Sequence, residues 1–138
     1  MIIADTSGVF AALDRSQRLH AAVREVVDGG EAMVLSPFVL AELDYLLATR
    51  ISVSASVELL RDVEAGAYEL APFTPDDVGE ARRIAEQYHD LGIGLADASI
   101  VVLSGRYECD RVLTLDERHF RALRTTGGAT FTLLPTDS

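Results

Sequence analysis

The stretch Gly92 to Phe120, GIGLADASIVVLSGRYECDRVLTLDERHF, places two carboxylates where a buried core would not want them. Leu95, Ala96, Ala98, Ile100, Val101, Val102 and Leu103 predict a helix that is apolar on nearly every side and therefore buried, with Asp97 in its first turn. Gly105 reads as the stop of that helix and Cys109-Asp110 as a turn. Val112 to Leu115 then reads as a short strand covered on both faces, as parallel strands are, and Asp116 ends it. In an open parallel sheet, ligands gather at the carboxyl ends of the strands, which is where Asp116 and the start of the Asp97 helix meet.

The N-terminal half repeats this pattern. Met1 to Ala4 is an apolar run that ends on Asp5-Thr6-Ser7-Gly8, a polar turn able to cap a helix begun at Val9. An amphipathic helix between Ser16 and Asp28 and a strand at Ala32 to Leu35 follow. Ser36-Pro37 opens a helix to about Arg50, serine as cap and proline in the first turn. On its wheel, at ~100° per residue, Glu42 falls inside the apolar arc between Phe38 and Leu46, while Asp44 falls outside it and reads as solvent-facing. A further helix is expected over Val53 to Ala65 with Val57, Leu60 and Val63 inward, then a strand at Tyr68 to Ala71. Thr74-Pro75-Asp76-Asp77 has the acids of a helix first turn, and the chain closes with a short helix over Glu117 to Arg124 and a strand at Phe131 to Leu134. Strands alternating with helices predict an α/β fold: a parallel sheet of four to five strands with helices on both faces, in one domain spanning residues 1–138.

Composition narrows the function. The single cysteine, Cys109, excludes an internal disulfide, and His20, His89 and His119 are too dispersed along the chain to suggest a zinc site. No basic segment precedes the apolar start and no apolar run approaches the ~20 residues of a membrane span, so a cytoplasmic setting without a membrane is expected. A net charge of −10 argues against a protein that coats nucleic acid nonspecifically. All twelve basic residues are arginine; without lysine, neither a Walker-type phosphate loop nor a receiver domain has its standard chemistry.

Taken singly, Asp5, Asp97 and Asp116 have structural explanations as helix-terminal acids, and Glu42 as a snorkelling one. Jointly they can converge on one end of the sheet, where a pair ~4 Å apart at an effective dielectric of ~20 would repel by about 4 kcal/mol. A cation removes that cost. Oxygen donors select a hard metal, Mg²⁺ with Mn²⁺ as substitute, of the kind that binds substrate phosphates.

ADTSG at the end of the first strand, LAE with Glu42, LADASI with Asp97 and VLTLDERHF with Asp116 resemble, in order and over the whole chain, the motifs of PIN-domain ribonucleases, and in particular the VapC toxins of toxin–antitoxin pairs. The resemblance implies that Asp5, Glu42, Asp97 and Asp116 are a catalytic, metal-binding quartet with Ser7 and Thr114 as hydroxyl supports. It implies an endoribonuclease that hydrolyses RNA phosphodiesters with a metal-activated water. It also implies a VapB-like antitoxin as partner, homodimerisation, and a heterotetramer or larger assembly with the antitoxin. Arg15, Arg118, Arg121 and Arg124 adjoin the acidic elements in sequence and are expected either to form a basic rim for RNA phosphates or to lie on solvated helix faces. Two other readings stand beside this one. A Mg²⁺-dependent phosphohydrolase acting on small phosphates would want a second aspartate where Ser7 stands, and a non-catalytic interaction module would use the acidic pocket as a ligand.

Overall fold

The computed structural model describes all 138 residues. In chain order the elements are β1 (Ile2–Ala4), α1 (Thr6–Leu13), α2 (His20–Asp28), β2 (Met33–Leu35), α3 (Pro37–Arg50), α4 (Val53–Glu64), β3 (Glu69–Leu70), α5 (Pro75–Gln87), α6 (Leu95–Arg106), β4 (Arg111–Leu113), α7 (Glu117–Ala122) and β5 (Thr132–Leu134). The five strands form one all-parallel sheet in the order β3-β2-β1-β4-β5. Every residue of β1 is fully buried; since successive side chains point to opposite faces, both faces of the sheet centre are covered. The expected α/β architecture is therefore the one observed.

The strand order fixes where a site can form. From β1 the chain builds outward on one side through β2 and β3, then crosses to the other side for β4 and β5. The crevice at the carboxyl ends of β1 and β4 is thus the topological switch point of the sheet. Two close approaches hold it. α6 packs on α5 and α3 and lies against β1, presenting Ala98 through Ser104 to the core without a break. Gly8 sets α1 directly on β4, because a Cβ there would stand 2.3 Å from the Leu113 carbonyl oxygen.

Several local expectations are corrected. α1 begins at Thr6, not Val9, so Thr6-Ser7-Gly8 form its first turn and Asp5 occupies the cap position. α6 continues through Gly105 to Arg106; that glycine lies under the Thr126 side chain, whose Oγ1 would stand 2.6 Å from a Cβ there. α4 forms where expected but turns Ser56 and Leu59 inward, leaving Val57 and Leu60 on the surface: the small serine lets α4 settle close on α3. In α3 the buried row is Val39, Leu43 and Leu47, with Asp44 half-buried and Glu42 exposed, the reverse of the wheel reading. Leu46 is only partly covered because it borders the switch-point crevice, and Phe38 is partly covered where it packs edge-on against Phe73.

Candidate active site

A cleft of about 520 Å³ opens at the switch point, lined by Asp5, Thr6, Ser7, Phe10, Gln17, Glu42, Leu46, Arg50, Asp97, Leu115, Asp116 and His119. The four acids singled out from sequence all line it, each carried by a different part of the fold.

Asp5 is the deepest, 5% exposed at the end of β1. It stands at the cap position of α1 but makes no side-chain cap bond to that helix. Its Oδ2 instead accepts from Thr114 Oγ1 at 2.6 Å and from Ser7 Oγ at 3.0 Å. Both hydroxyls are themselves fixed by the chain beyond β4: Leu115 N donates to Ser7 Oγ at 2.9 Å and Asp116 N to Thr114 Oγ1 at 3.0 Å. Each hydroxyl thus accepts a hydrogen bond from a backbone N–H and donates its own O–H to the carboxylate. Burial pushes the Asp5 carboxyl up to about 6, against the pull of the Thr114 and Ser7 hydrogen bonds and with the help of the Asp97 charge.

Asp97, in the first turn of α6, is likewise raised by burial. His119 opposes that shift, while Asp116 and Glu42 add to it through their charges, so Asp97 feels the other acids directly. Asp116 caps α7, accepting from His119 N at 3.1 Å on Oδ1, and presents Oδ2 to the same residue's ring. Its expected duty as a helix cap and its place in the acidic group are therefore both met. Glu42 sits at the exposed rim, where Thr6 Oγ1 donates to it at 2.6 Å.

His119 is the residue that sequence reasoning missed. Its Nδ1 stands 2.9 Å from Asp97 Oδ2 and 3.0 Å from Asp116 Oδ2, and one donor atom from each of these three residues falls within 4.8 Å of the other two. The dispersal of the histidines along the chain was therefore no guide to this one. A partial signal existed: His119 follows Asp116 by three residues, one helical turn. Thr6, Gln17 and Arg50 are further cleft residues that no motif marked.

The four arginines, expected either to form a basic rim or to lie on solvated faces, have the following surroundings. Arg121 is held by Asp137 and Glu117, and Arg124 donates to the carbonyls of Arg121, Ala122 and Leu123 at the end of α7. Arg15 and Arg118 are exposed, and none of the four lines the cleft. The basic residue that does is Arg50, at the end of α3, two turns beyond Glu42 on the same helix face.

The donor chemistry fits a hard divalent ion: carboxylates from four elements share one solvent-reachable cleft, two of them pushed above the ordinary carboxylate range. A parallel α/β domain with such an acid cluster at its switch point has the build of a metal-dependent phosphodiesterase.

Residues 2–125 match the PIN domain family. Over 135 residues the chain is 48% identical to Ribonuclease VapC26 of Mycobacterium tuberculosis, an alignment that takes in 97% of this chain and 100% of that protein. The chain belongs to the PIN-domain family, among its VapC-type members. In fold it is similar to the crystal structure of Mycobacterium tuberculosis VapC20, described as a sarcin-ricin loop cleaving toxin, with a TM-score of 0.78 at 18% identity over 84% of this chain and 90% of that one. It is also similar to VapBC2 from Rickettsia felis bound to a fragment of promoter DNA, with a TM-score of 0.66 at 17% identity over 96% and 98% of the two chains. FitAcB from Neisseria gonorrhoeae gives 0.61 at 22% identity over 96% and 97%.

Proposed function

We propose that this chain is a VapC-type toxin, an endoribonuclease that hydrolyses RNA phosphodiesters with a divalent metal ion, Mg²⁺ or Mn²⁺, held by Asp5, Asp97, Asp116 and Glu42. The observation that carries the reading is the meeting of four carboxylates from four elements in one cleft, with the deepest of them held up to about 6 by burial and like charge. Such an ion lowers the pKa of the attacking water and neutralises charge on the phosphate. The chain's own groups supply the frame. Ser7 and Thr114 hold Asp5 in one orientation, Thr6 holds Glu42, and the cap of α7 holds Asp116. No side chain need act as nucleophile. Water rather than the RNA 2′-hydroxyl attacks phosphorus and the P–O3′ bond breaks, with O3′ leaving and taking up a proton, so the products carry 5′-phosphate and 3′-hydroxyl ends. Arg50 is the cleft residue suited to meet an RNA phosphate.

Stable structured RNAs, transfer or ribosomal, are the substrate class that the family membership favours. The test is incubation of purified protein with such RNAs and Mn²⁺, with and without chelator. Cleavage to 5′-phosphate ends, lost in EDTA and in Asp5→Asn and Asp97→Asn with the far-UV circular dichroism unchanged, is the expected result. Equal cleavage by the EDTA-treated protein would overturn the reading.

A toxin of this kind needs restraint, and a small VapB-like antitoxin that covers the acidic cleft is the proposed partner, acting on a homodimeric toxin. Exposed apolar residues on the α3–α4 pair support a protein partner: Tyr45 is 68% exposed and Val53 67%, with Ile51, Val57 and Leu60 also on the surface. Co-expression with the neighbouring small reading frame should give a stable complex with suppressed cleavage, its stoichiometry read by light scattering. Free toxin in every fraction would defeat that part of the proposal.

A further inference from the structure

His119 enters no step of the proposed hydrolysis, yet it stands between two of the four acids, Asp97 and Asp116. α7 puts it there: Asp116 fixes the backbone of His119 at the helix start, and the imidazole turns back over the cap toward α6. Its Nδ1 lies 2.9 Å from Asp97 Oδ2 and 3.0 Å from Asp116 Oδ2. Neighbouring corners of an octahedral shell with bonds of about 2.1 Å stand about 3.0 Å apart, which matches the two separations from Nδ1, and the three donor atoms all lie within 4.8 Å of one another. The side chains of His119, Asp97 and Asp116 are 20%, 17% and 33% exposed, which leaves the trio open to an ion from solvent.

We infer that His119 is a metal-selectivity residue: its Nδ1 joins Asp97 and Asp116 as a third donor atom and makes the cleft prefer a first-row transition ion such as Mn²⁺ over Mg²⁺. The inference rests on the cleft being the metal centre proposed above. Mg²⁺ keeps to oxygen donors, whereas an imidazole nitrogen suits first-row transition ions, so one nitrogen among oxygens shifts the preference toward the latter. No ring flip is needed, because Nδ1 already faces both carboxylates. On ion uptake the hydrogen on Nδ1 leaves for solvent or moves to Nε2, the two carboxylates exchange a hydrogen bond for the ion, and nothing is oxidised. The competing account makes His119 only the hydrogen-bond donor that holds the carboxylates together until an ion displaces it. Removing it would then tighten binding of both ions.

Electron spin-echo spectroscopy of the Mn²⁺-loaded full chain should show modulation from one imidazole nitrogen, and that modulation should vanish in His119→Ala. In calorimetric titrations at pH ~8, His119→Ala and His119→Gln should lose Mn²⁺ affinity by about tenfold or more and Mg²⁺ affinity by less than about threefold. Wild-type protein that binds Mn²⁺ without nitrogen modulation, or variants that weaken or tighten both ions equally, would overturn the inference. Its fate separates from that of the nuclease reading. Mn²⁺ bound with the nitrogen signature but no RNA cleavage supports this inference and sinks that reading, and cleavage with an all-oxygen ion does the reverse.

Discussion

Thr114 Oγ1 donates to Asp5 Oδ2 across 2.6 Å while taking the backbone N–H of Asp116 at 3.0 Å, so one hydroxyl couples the acid that ends β1 to the acid that caps α7. Thr114 is fully buried. Replacing it by valine keeps the shape but leaves the buried Asp5 carboxylate with the Ser7 bond alone and the Asp116 N–H without its acceptor. Thr114→Val should cost about 1–3 kcal/mol of stability in urea titrations. It also removes the largest influence that lowers the Asp5 pKa, so the acid limb of the pH–cleavage profile should move to higher pH. A variant of wild-type stability with an unmoved acid limb would show that Thr114 does not orient Asp5.

The raised Asp5 pKa makes a prediction about stability in the absence of metal. With a folded value of about 6 against 3.8 unfolded, the native state holds the Asp5 proton more tightly. Its contribution is therefore largest at low pH and is lost as pH rises from about 4 to 6, by about 3 kcal/mol at ~1.4 kcal/mol per pH unit. Glu31 and Asp137, lowered from 4.5 and 3.8 to about 2 by arginine partners, act with the opposite sign and overlap only the lower edge of that window. Melting temperatures of the EDTA-treated protein should fall between pH 4 and 6.5, and Asp5→Asn should fall less. Parallel curves for the two proteins would remove Asp5 from the account.

Much of this was legible in the sequence because short apolar runs ending on acids are what a buried parallel sheet with a site at its edge requires. Asp5, Asp97 and Asp116 are read in that way from local pattern alone. Wheel arguments failed where apolar residues border the cleft instead of the core. Leu46 lines the cleft and Phe38 packs edge-on against Phe73, so both widen the apparent buried arc of α3 and draw Glu42 into it, whereas Glu42 stands at the cleft rim. His119 was hidden for another reason. Its contact with Asp97 spans 22 residues and exists only after α6 and β4 have returned the chain to the same end of the sheet. The fate of Arg121 was equally nonlocal, since Asp137 claims it from sixteen residues on, whereas Arg124 folds back on the carbonyls at the end of α7.

Two glycine substitutions test the contacts that position the cleft. A Cβ at Gly8 would stand 2.3 Å from the Leu113 carbonyl oxygen and 2.6 Å from its carbon, rigid backbone in the middle of the sheet. Gly8→Ala should destabilise by about 3 kcal/mol despite the better helix propensity of alanine, and should lower cleavage by moving Ser7. At Gly105 the same atom meets the Thr126 hydroxyl at 2.6 Å, a side-chain end on an exposed loop that can turn away. Gly105→Ala should change stability by less than about 1 kcal/mol, the propensity gain offsetting the adjustment. Denaturant midpoints of the two variants should therefore differ clearly. Equal midpoints would mean that α1 can lift from β4 at little cost.

Asp116→Asn separates the two duties of Asp116. Asparagine caps a helix as well as aspartate does, so the bond from His119 N at 3.1 Å should survive and α7 should remain in place. What the substitution removes is charge beside Asp97, whose pKa Asp116 helps to raise. At pH ~8 the metal-free variant should be more stable than wild type by about 1 kcal/mol, a discounted value for a half-buried pair, seen as a rise of a few degrees in melting temperature. With metal the order reverses. An ion that binds only the folded state stabilises by about 2.7 kcal/mol at one hundred times its dissociation constant, and loss of one carboxylate ligand should shrink that gain in the variant. Melts of both proteins, each with EDTA and with Mn²⁺, give the four values required. If Asp116→Asn destabilises the metal-free protein and leaves the Mn²⁺ response whole, Asp116 serves α7 alone, and the metal centre must be built from Asp5, Asp97 and Glu42 without it.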